Sequence, residues 1–192
     1  MATDAGPGYT ANDVLRVGST NGSSNSSATA GQSAANSTIT YPDGLAYRVD
    51  LPAHLSGPDG FTKSGQLSGT HNLQNATATL DAQGAIYNLT PTGTAGISEL
   101  KYSYTNVAGK IVTGSKTVYD PAVYNDQAML NLSQIVGRHG YQLYLQNQSK
   151  RILDLNEGGV NFRVYINTDP KYGLPFVGNI HPIKWAKNGL FW

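Results

Sequence analysis

The 192-residue chain predicts a mostly-β protein: an antiparallel β-sandwich with one short helix and extended termini. Two observations carry this. Apolar and polar residues alternate along several short segments, the period of a half-buried strand. Those segments are separated by clusters of Gly, Asn, Asp and Ser, which supply turn geometry.

The elements follow in order. Residues 18–38 (GSTNGSSNSSATAGQSAANST) hold almost nothing apolar larger than Ala. Such a segment cannot bury enough surface to offset its ordering entropy, so residues 1–40 read as a low-complexity polar arm. Within it, Val14, Leu15 and Val17 form an apolar island, a strand that docks on its own domain or on another copy. Residues 41–121 read as the sandwich region. Leu45, Tyr47, Val49 and Leu51 alternate with Ala46, Arg48 and Asp50, and Pro52 ends that strand. Residues 56–60 have turn chemistry. Ala76, Ala78 and Leu80 alternate with Thr77 and Thr79, and residues 81–84 reverse the chain into a strand near 85–90. Leu100, Tyr102 and Tyr104 alternate with Lys101 and Ser103. A turn at 106–109 precedes strands near 110–113 and 116–119, around Gly114 and Ser115.

Residues 93–121, GTAGISELKYSYTNVAGKIVTGSKTVYDP, hold a tyrosine-rich strand, a turn with a small residue and Gly, and a Thr/Val-rich strand. This segment resembles the last strands of bacterial immunoglobulin-like domains, which occur in bacterial surface proteins and on phage particles. The resemblance spans about residues 41–121. It implies an immunoglobulin-like or jelly-roll-like sandwich, and a scaffold rather than an activity.

Residues 122–192 change character and read as packed on the same core. Asn125 or Asp126 caps a short helix through Val136, with Met129, Leu132 and Val136 on one face and Gly137 as its stop. Ala128, Leu130 and Leu132 fit a strand as well. A three-strand meander follows, from Tyr141, Leu143 and Leu145, through Leu153 and Leu155, to Val160, Phe162, Val164 and Ile166. Residues 169–192 carry Pro170, Pro175 and Pro182 among aromatics and predict an irregular packed tail. Its end, Leu190, Phe191 and Trp192, must cover two large aromatics, either on the core or in a neighbouring subunit.

Composition and motifs bear on function. Net charge is +1 and no basic stripe is present, so nucleic acid is not expected as a partner. No apolar run approaches the roughly 20 residues of a spanning helix, so membrane insertion is not expected. Residues 1–9 hold no apolar signal region, as in a native start or a chain whose signal was removed. With no cysteine, disulfides and thiolate chemistry are impossible. The four histidines, His54, His71, His139 and His181, form no local metal-binding pair and read as ordinary surface or hydrogen-bonded residues. Asp154 to Gly158 starts like a calcium loop, but positions five, six and twelve are Gly158, Gly159 and Tyr165, so a β-turn fits better. Glu99 and Glu157 are the only glutamates. Neither a nucleophile elbow nor a phosphate-cradling glycine motif occurs. No catalytic residue, metal ligand or cofactor is expected.

The chain therefore reads as a structural, non-enzymatic subunit of an extracellular assembly: a virion capsid, decoration or fibre protein, or a surface filament. Its few charges leave β-edges open for pairing. Its partners are then copies of itself or other particle or surface proteins, contacted through Val14, Leu15, Val17, Leu190, Phe191 and Trp192. The alternative is a cell-surface adhesin binding a glycan or host protein. Its ligand contacts would be Tyr102, Tyr104, Tyr119 and Trp185, although tyrosines suit strand cores equally. Either reading places the protein in a virion, outside the cell or at its surface.

Overall fold

The computed structural model describes residues 38–40 and 45–184, with side chains over 45–184. Ten strands and three helices lie among them: β1 Thr38–Thr40, β2 Ala46–Arg48, α1 Leu51–Ser56, β3 Pro58–Phe61, β4 Leu67–Gly69, α2 Leu73–Asp81, β5 Ile86–Pro91, β6 Ile97–Thr105, β7 Ile111–Tyr119, α3 Asp126–Gln146, β8 Ile152–Glu157, β9 Val160–Thr168 and β10 Pro175–Pro182. The expected mostly-β class holds. The strands form a five-stranded sheet in the order β1-β2-β10-β9-β8, a three-stranded sheet β5-β6-β7 and a two-stranded hairpin β3-β4. All pairings are antiparallel except β2 with β10.

Two apolar clusters hold these layers. The larger joins the five-stranded sheet to α1 and α3 through Tyr47, Leu51, Met129, Val136, Phe162, Val164 and Ile180. The smaller packs Ala76 and Leu80 of α2 and Leu67 of β4 against Leu100, Tyr102, Tyr104, Val112 and Val118 of the three-stranded sheet.

Several segments differ from their expected form, each for a local reason. Pro52 opens α1 instead of merely ending a strand, because a first helical turn does not need its N–H. Residues 76–80 are helical. Ala76 and Leu80, four apart, share the buried face, and Asn72 caps the helix by accepting from the Asn75 N–H. Thr77 and Thr79 fit because their hydroxyls donate back to the Leu73 and Asn75 carbonyls.

The single short helix is instead the 21-residue α3, which also takes up the strand expected at 141–145. Asn125 caps it, accepting from the Ala128 N–H at 2.8 Å. Its buried stripe runs Met129, Ser133, Val136, Gly137, Gly140, Tyr144, a helical period that extends past the apolar pattern because two of its members are glycines. Gly137 is a contact residue and not a stop. A Cβ there would stand 2.7 Å from Ile180 Cδ1 and 2.8 Å from Tyr47 Cε1, so the missing side chain lets the helix approach the sheet.

The tail is not irregular over 175–182. Pro175 and Pro182 are the first and last residues of β10, where a missing N–H is tolerated, and the strand sits between β2 and β9.

Strand β7 runs unbroken through Gly114, where a division between two strands was expected. The Tyr102 ring of the neighbouring strand lies across that glycine, and a Cβ would fall 2.4 Å from Tyr102 Cζ. Gly114→Ala should therefore destabilise the fold by about 1–3 kcal/mol through overpacking, checked by urea denaturation against wild type. An unchanged midpoint would contradict this packing.

Candidate functional site

The smaller sheet, the β3-β4 hairpin and β10 meet around a cavity of about 360 Å³ lined by His54, His71 and His181, with Lys116, Asn179 and Glu99 among the other polar groups. Its volume is in the range of small-ligand sites.

Each histidine is anchored at Nδ1. His54, in α1, is hydrogen-bonded through Nδ1 to the carboxylate of Asp59 in β3. His71 donates from Nδ1 to the Thr117 carbonyl of β7 at 2.7 Å. His181, in β10, directs Nδ1 at the Pro182 carbonyl, 3.1 Å away. For a neutral imidazole this pattern places the proton on Nδ1 and leaves Nε2 as the acceptor. No Nε2 of the three has a protein partner among the described residues. The His71 and His181 rings stack, 4.9 Å between centroids and 7° from parallel, and the His54 ring lies 6.2 Å from that of His71.

The local backbone explains how His71 is aimed. Thr70 has φ of 59°, in the left-handed region that a β-branched residue avoids. It is held there by its N–H, which reaches the carbonyls of both His54 and Gly57, while His71 N–H donates to the Leu55 carbonyl at 2.7 Å. The Thr70 hydroxyl is buried without a partner among the described residues. Strain and an unsatisfied hydroxyl together oppose folding by a few kcal/mol, on the order of 1–3 each, and such features concentrate at functional sites. On the far side, Tyr119 N–H donates to the His71 carbonyl, docking this segment on the β7 edge.

Charge at the site is set by burial. Desolvation pushes His71 well below the ordinary 6.5 of an imidazole, the positive charge of Lys116 and that of His181 when protonated act in the same direction, and the Thr117 hydrogen bond opposes them. Desolvation likewise lowers His181 to about 4. Lys116 falls from 10.5 to about 8, again through burial, with the Asp59 charge opposing the shift. Burial raises Asp59, but its hydrogen bond and charge interaction with His54, and the charge of Arg48, outweigh that and leave it below its ordinary 3.8. Near neutral pH the site thus combines two neutral imidazoles, a carboxylate-backed third and a mostly cationic lysine. Glu99, also lining the cavity, is engaged by Lys184 at 3.0 Å and Lys101 at 3.7 Å. Among the described residues no cluster of three or more His, Asp or Glu has the arrangement of a metal site.

The residues singled out from sequence lie elsewhere. Tyr102, Tyr104 and Tyr119 are only 4%, 7% and 0% exposed, so no ring face is free for a ligand. Their hydroxyls donate to Gln66, Gly65 and Asp126 respectively. Val14, Leu15, Val17, Trp185, Leu190, Phe191 and Trp192 fall outside the described residues. His54, His71 and His181 are hydrogen-bonded, and the fold also gathers them around one cavity, whereas His139, paired with Glu157 at 3.7 Å, lies apart from the group. Sequence reasoning missed the site because its members come from α1, the segment before α2, β7 and β10. No spacing rule joins such elements.

No family model matches the chain. Two relatives do. One, named as the tRNA nuclease CdiA of Escherichia coli (strain STEC_O31), is 36% identical over 154 residues, covering 74% of this chain. The other, the tRNA nuclease CdiA of a Yersinia mollaretii strain, is 35% identical over 155 residues, covering 75% of this chain. The chain spans about 5% of the length of each. These relatives overturn the expectation of a non-enzymatic structural subunit or adhesin, since both are named as enzymes. They also overturn the dismissal of nucleic acid as a partner, since the named substrate of both is an RNA. A location outside the cell or at its surface is compatible with them, whereas a virion finds no support.

Proposed function

We propose that this chain is an RNA-cleaving domain that acts on tRNA by transphosphorylation. The observation that carries the reading is the convergence of three Nδ1-anchored imidazoles and the half-buried Lys116 on one cavity. The likeness to two tRNA nucleases supports the substrate class.

The groups present match the needs of that reaction. A ribose 2′-hydroxyl must lose a proton as its oxygen bonds to phosphorus, and the 5′-oxygen must gain one as its bond to phosphorus breaks. His71, neutral at working pH with Nε2 bare, takes the first proton. His54 delivers the second from Nε2, and the Asp59 carboxylate at Nδ1 compensates the charge of its imidazolium form. Lys116 faces the negative charge that builds on the phosphoryl oxygens in a partly dry site, where such an interaction counts for most. The products carry a 2′,3′-cyclic phosphate and a 5′-hydroxyl. His71 then holds a proton and His54 lacks one, and exchange with water restores both.

The half-buried Lys116, with Lys101 and Lys184 held on Glu99, neutralises few phosphates. Binding on this account rests on the cavity, in keeping with a chain of net charge +1.

The test is to incubate the purified chain with bulk tRNA and label the fragments with polynucleotide kinase. The account expects discrete fragments whose new 5′ ends accept phosphate without prior phosphatase treatment. Intact tRNA, or fragments with 5′-phosphate ends, would count against it.

A further inference from the structure

Strand β10 enters the site at an irregularity. Its pairing with β9 shifts register between Val177 and Asn179. Gly178 lies at that shift, and a Cβ there would fall 2.1 Å from Asn167 Nδ2, so the crossing of the Asn167 side chain needs a glycine. Such bulges re-aim side chains. Here Asn179 and His181 both line the cavity.

The His181 ring then occupies a definite place. One face lies parallel to His71, with centroids 4.9 Å apart. The Tyr165 ring, from β9, stands 5.7 Å away and tilted by 30°. The His181 ring thus contacts two others, His71 of the site and Tyr165 of the sheet. His71 itself has one hydrogen bond to hold it, from Nδ1 to the Thr117 carbonyl. That bond fixes the tautomer, while the plane of the ring depends on what packs against its faces, the parallel His181 ring among them.

We propose that His181 is a positioning residue: its ring, backed by Tyr165, fixes the plane of His71 so that Nε2 meets the substrate hydroxyl in line. His181 does this by stacking alone and carries no proton in the reaction. Its own state agrees, because burial keeps it neutral at working pH, and a second cation against His71 would oppose the charge that His71 gains. The inference rests on the reading of His71 as the proton acceptor.

The role separates from its alternatives with two variants. His181→Phe keeps a flat ring without nitrogen, and His181→Ala removes the ring. In cleavage of tRNA by the whole chain, H181A should lower kcat by about 10- to 100-fold, the scale on which small misplacements of reacting groups act. KM should stay within about threefold, and H181F should recover most of the rate. A defect as deep in H181F as in H181A would overturn the proposal, because it would mean that the imidazole nitrogen takes part. A loss confined to KM would overturn it too, because the ring would then bind the substrate directly.

An activity-free readout separates failure here from failure of the nuclease reading. In long-range ¹H–¹⁵N spectra of the imidazoles, His71 should show the Nδ1–H tautomer in all three proteins, because Thr117 holds it, with ring resonances that are sharp in wild type and H181F and exchange-broadened in H181A. Sharp His71 ring resonances in a folded H181A protein would refute the positioning role, whether or not the chain cleaves RNA. A wild-type chain that cleaves no RNA, with the spectra as predicted, would refute the nuclease reading alone.

Discussion

His71→Ala is expected to lower single-turnover cleavage of tRNA by about three orders of magnitude, within the roughly 10²–10⁴-fold range of a positioned general base. The loss should appear in kcat, since proton abstraction is confined to the transition state. His71 is suited to the task by its surroundings. It is buried in the wall of the cavity, neutral because charging it there is costly, and oriented by the Thr117 carbonyl, the strained Thr70 and the β7 edge. His54→Ala should fall by a similar factor. Lys116→Ala should lose about 10²–10³-fold, the usual cost of deleting a group that faces developing charge. The three effects should not multiply, because the residues act on one transition state. Circular dichroism and urea midpoints of each variant establish that the loss is chemical and not structural. A His71→Ala enzyme within tenfold of wild type would remove His71 from the mechanism.

The second large effect is on stability in acid. His181 has its protonation midpoint lowered from 6.5 to about 4 in the folded protein. Between those values the unfolded chain binds a proton that the folded chain does not, so stability rises with pH. The contribution is fully present above about pH 6.5 and is lost as pH falls toward 4. For His181 the change amounts to roughly 3 kcal/mol, at about 1.4 kcal/mol per unit. His71 is shifted in the same direction and adds to the loss. Urea unfolding at pH 7, 6 and 5 should show a midpoint that drops at each step, and His181→Phe should flatten the dependence by up to about one proton. A wild-type midpoint constant from pH 7 to 5 would mean that these imidazoles are not buried neutral.

The legible parts of the fold were those whose pattern is local. Strand β9 announces itself through Val160, Phe162, Val164 and Ile166, all buried, and the glycines at 158–159 make the turn before it with positive φ. The β6-β7 hairpin, foreseen from Leu100, Tyr102 and Tyr104 and the turn at 106–109, forms as a hairpin. Helices were misread where short or small residues imitate the other period. In α2, Ala76, Ala78 and Leu80 alternate, yet Ala78 is exposed and only the pair four apart packs. In α3, Gly137 looked like a stop although it and Gly140 are contacts, and nothing in the chain alone reveals that Tyr47 and Val164 come to lie against them.

The site was less legible than the fold, for a physical reason. Net charge and basic stripes report phosphates held on an open surface. A cavity that handles one phosphate needs one partly desolvated lysine, and Lys116 is indistinguishable in sequence from any solvent-facing strand lysine. The histidines could be seen but not paired, because long-range packing of α1, β7 and β10 brings them together. One local hint existed. His71 immediately precedes Asn72, a helix cap, so its backbone had to be fixed even though its side chain had no visible partner.

The central claim is that the ribose 2′-hydroxyl is the nucleophile, activated at His71. The most direct measurement maps the cut in a susceptible tRNA and replaces the single nucleotide 5′ to it by its 2′-deoxy form. The account predicts that this substitution abolishes cleavage at that bond, while the unmodified substrate yields a 2′,3′-cyclic phosphate there. Cleavage of the 2′-deoxy substrate at an undiminished rate would contradict it.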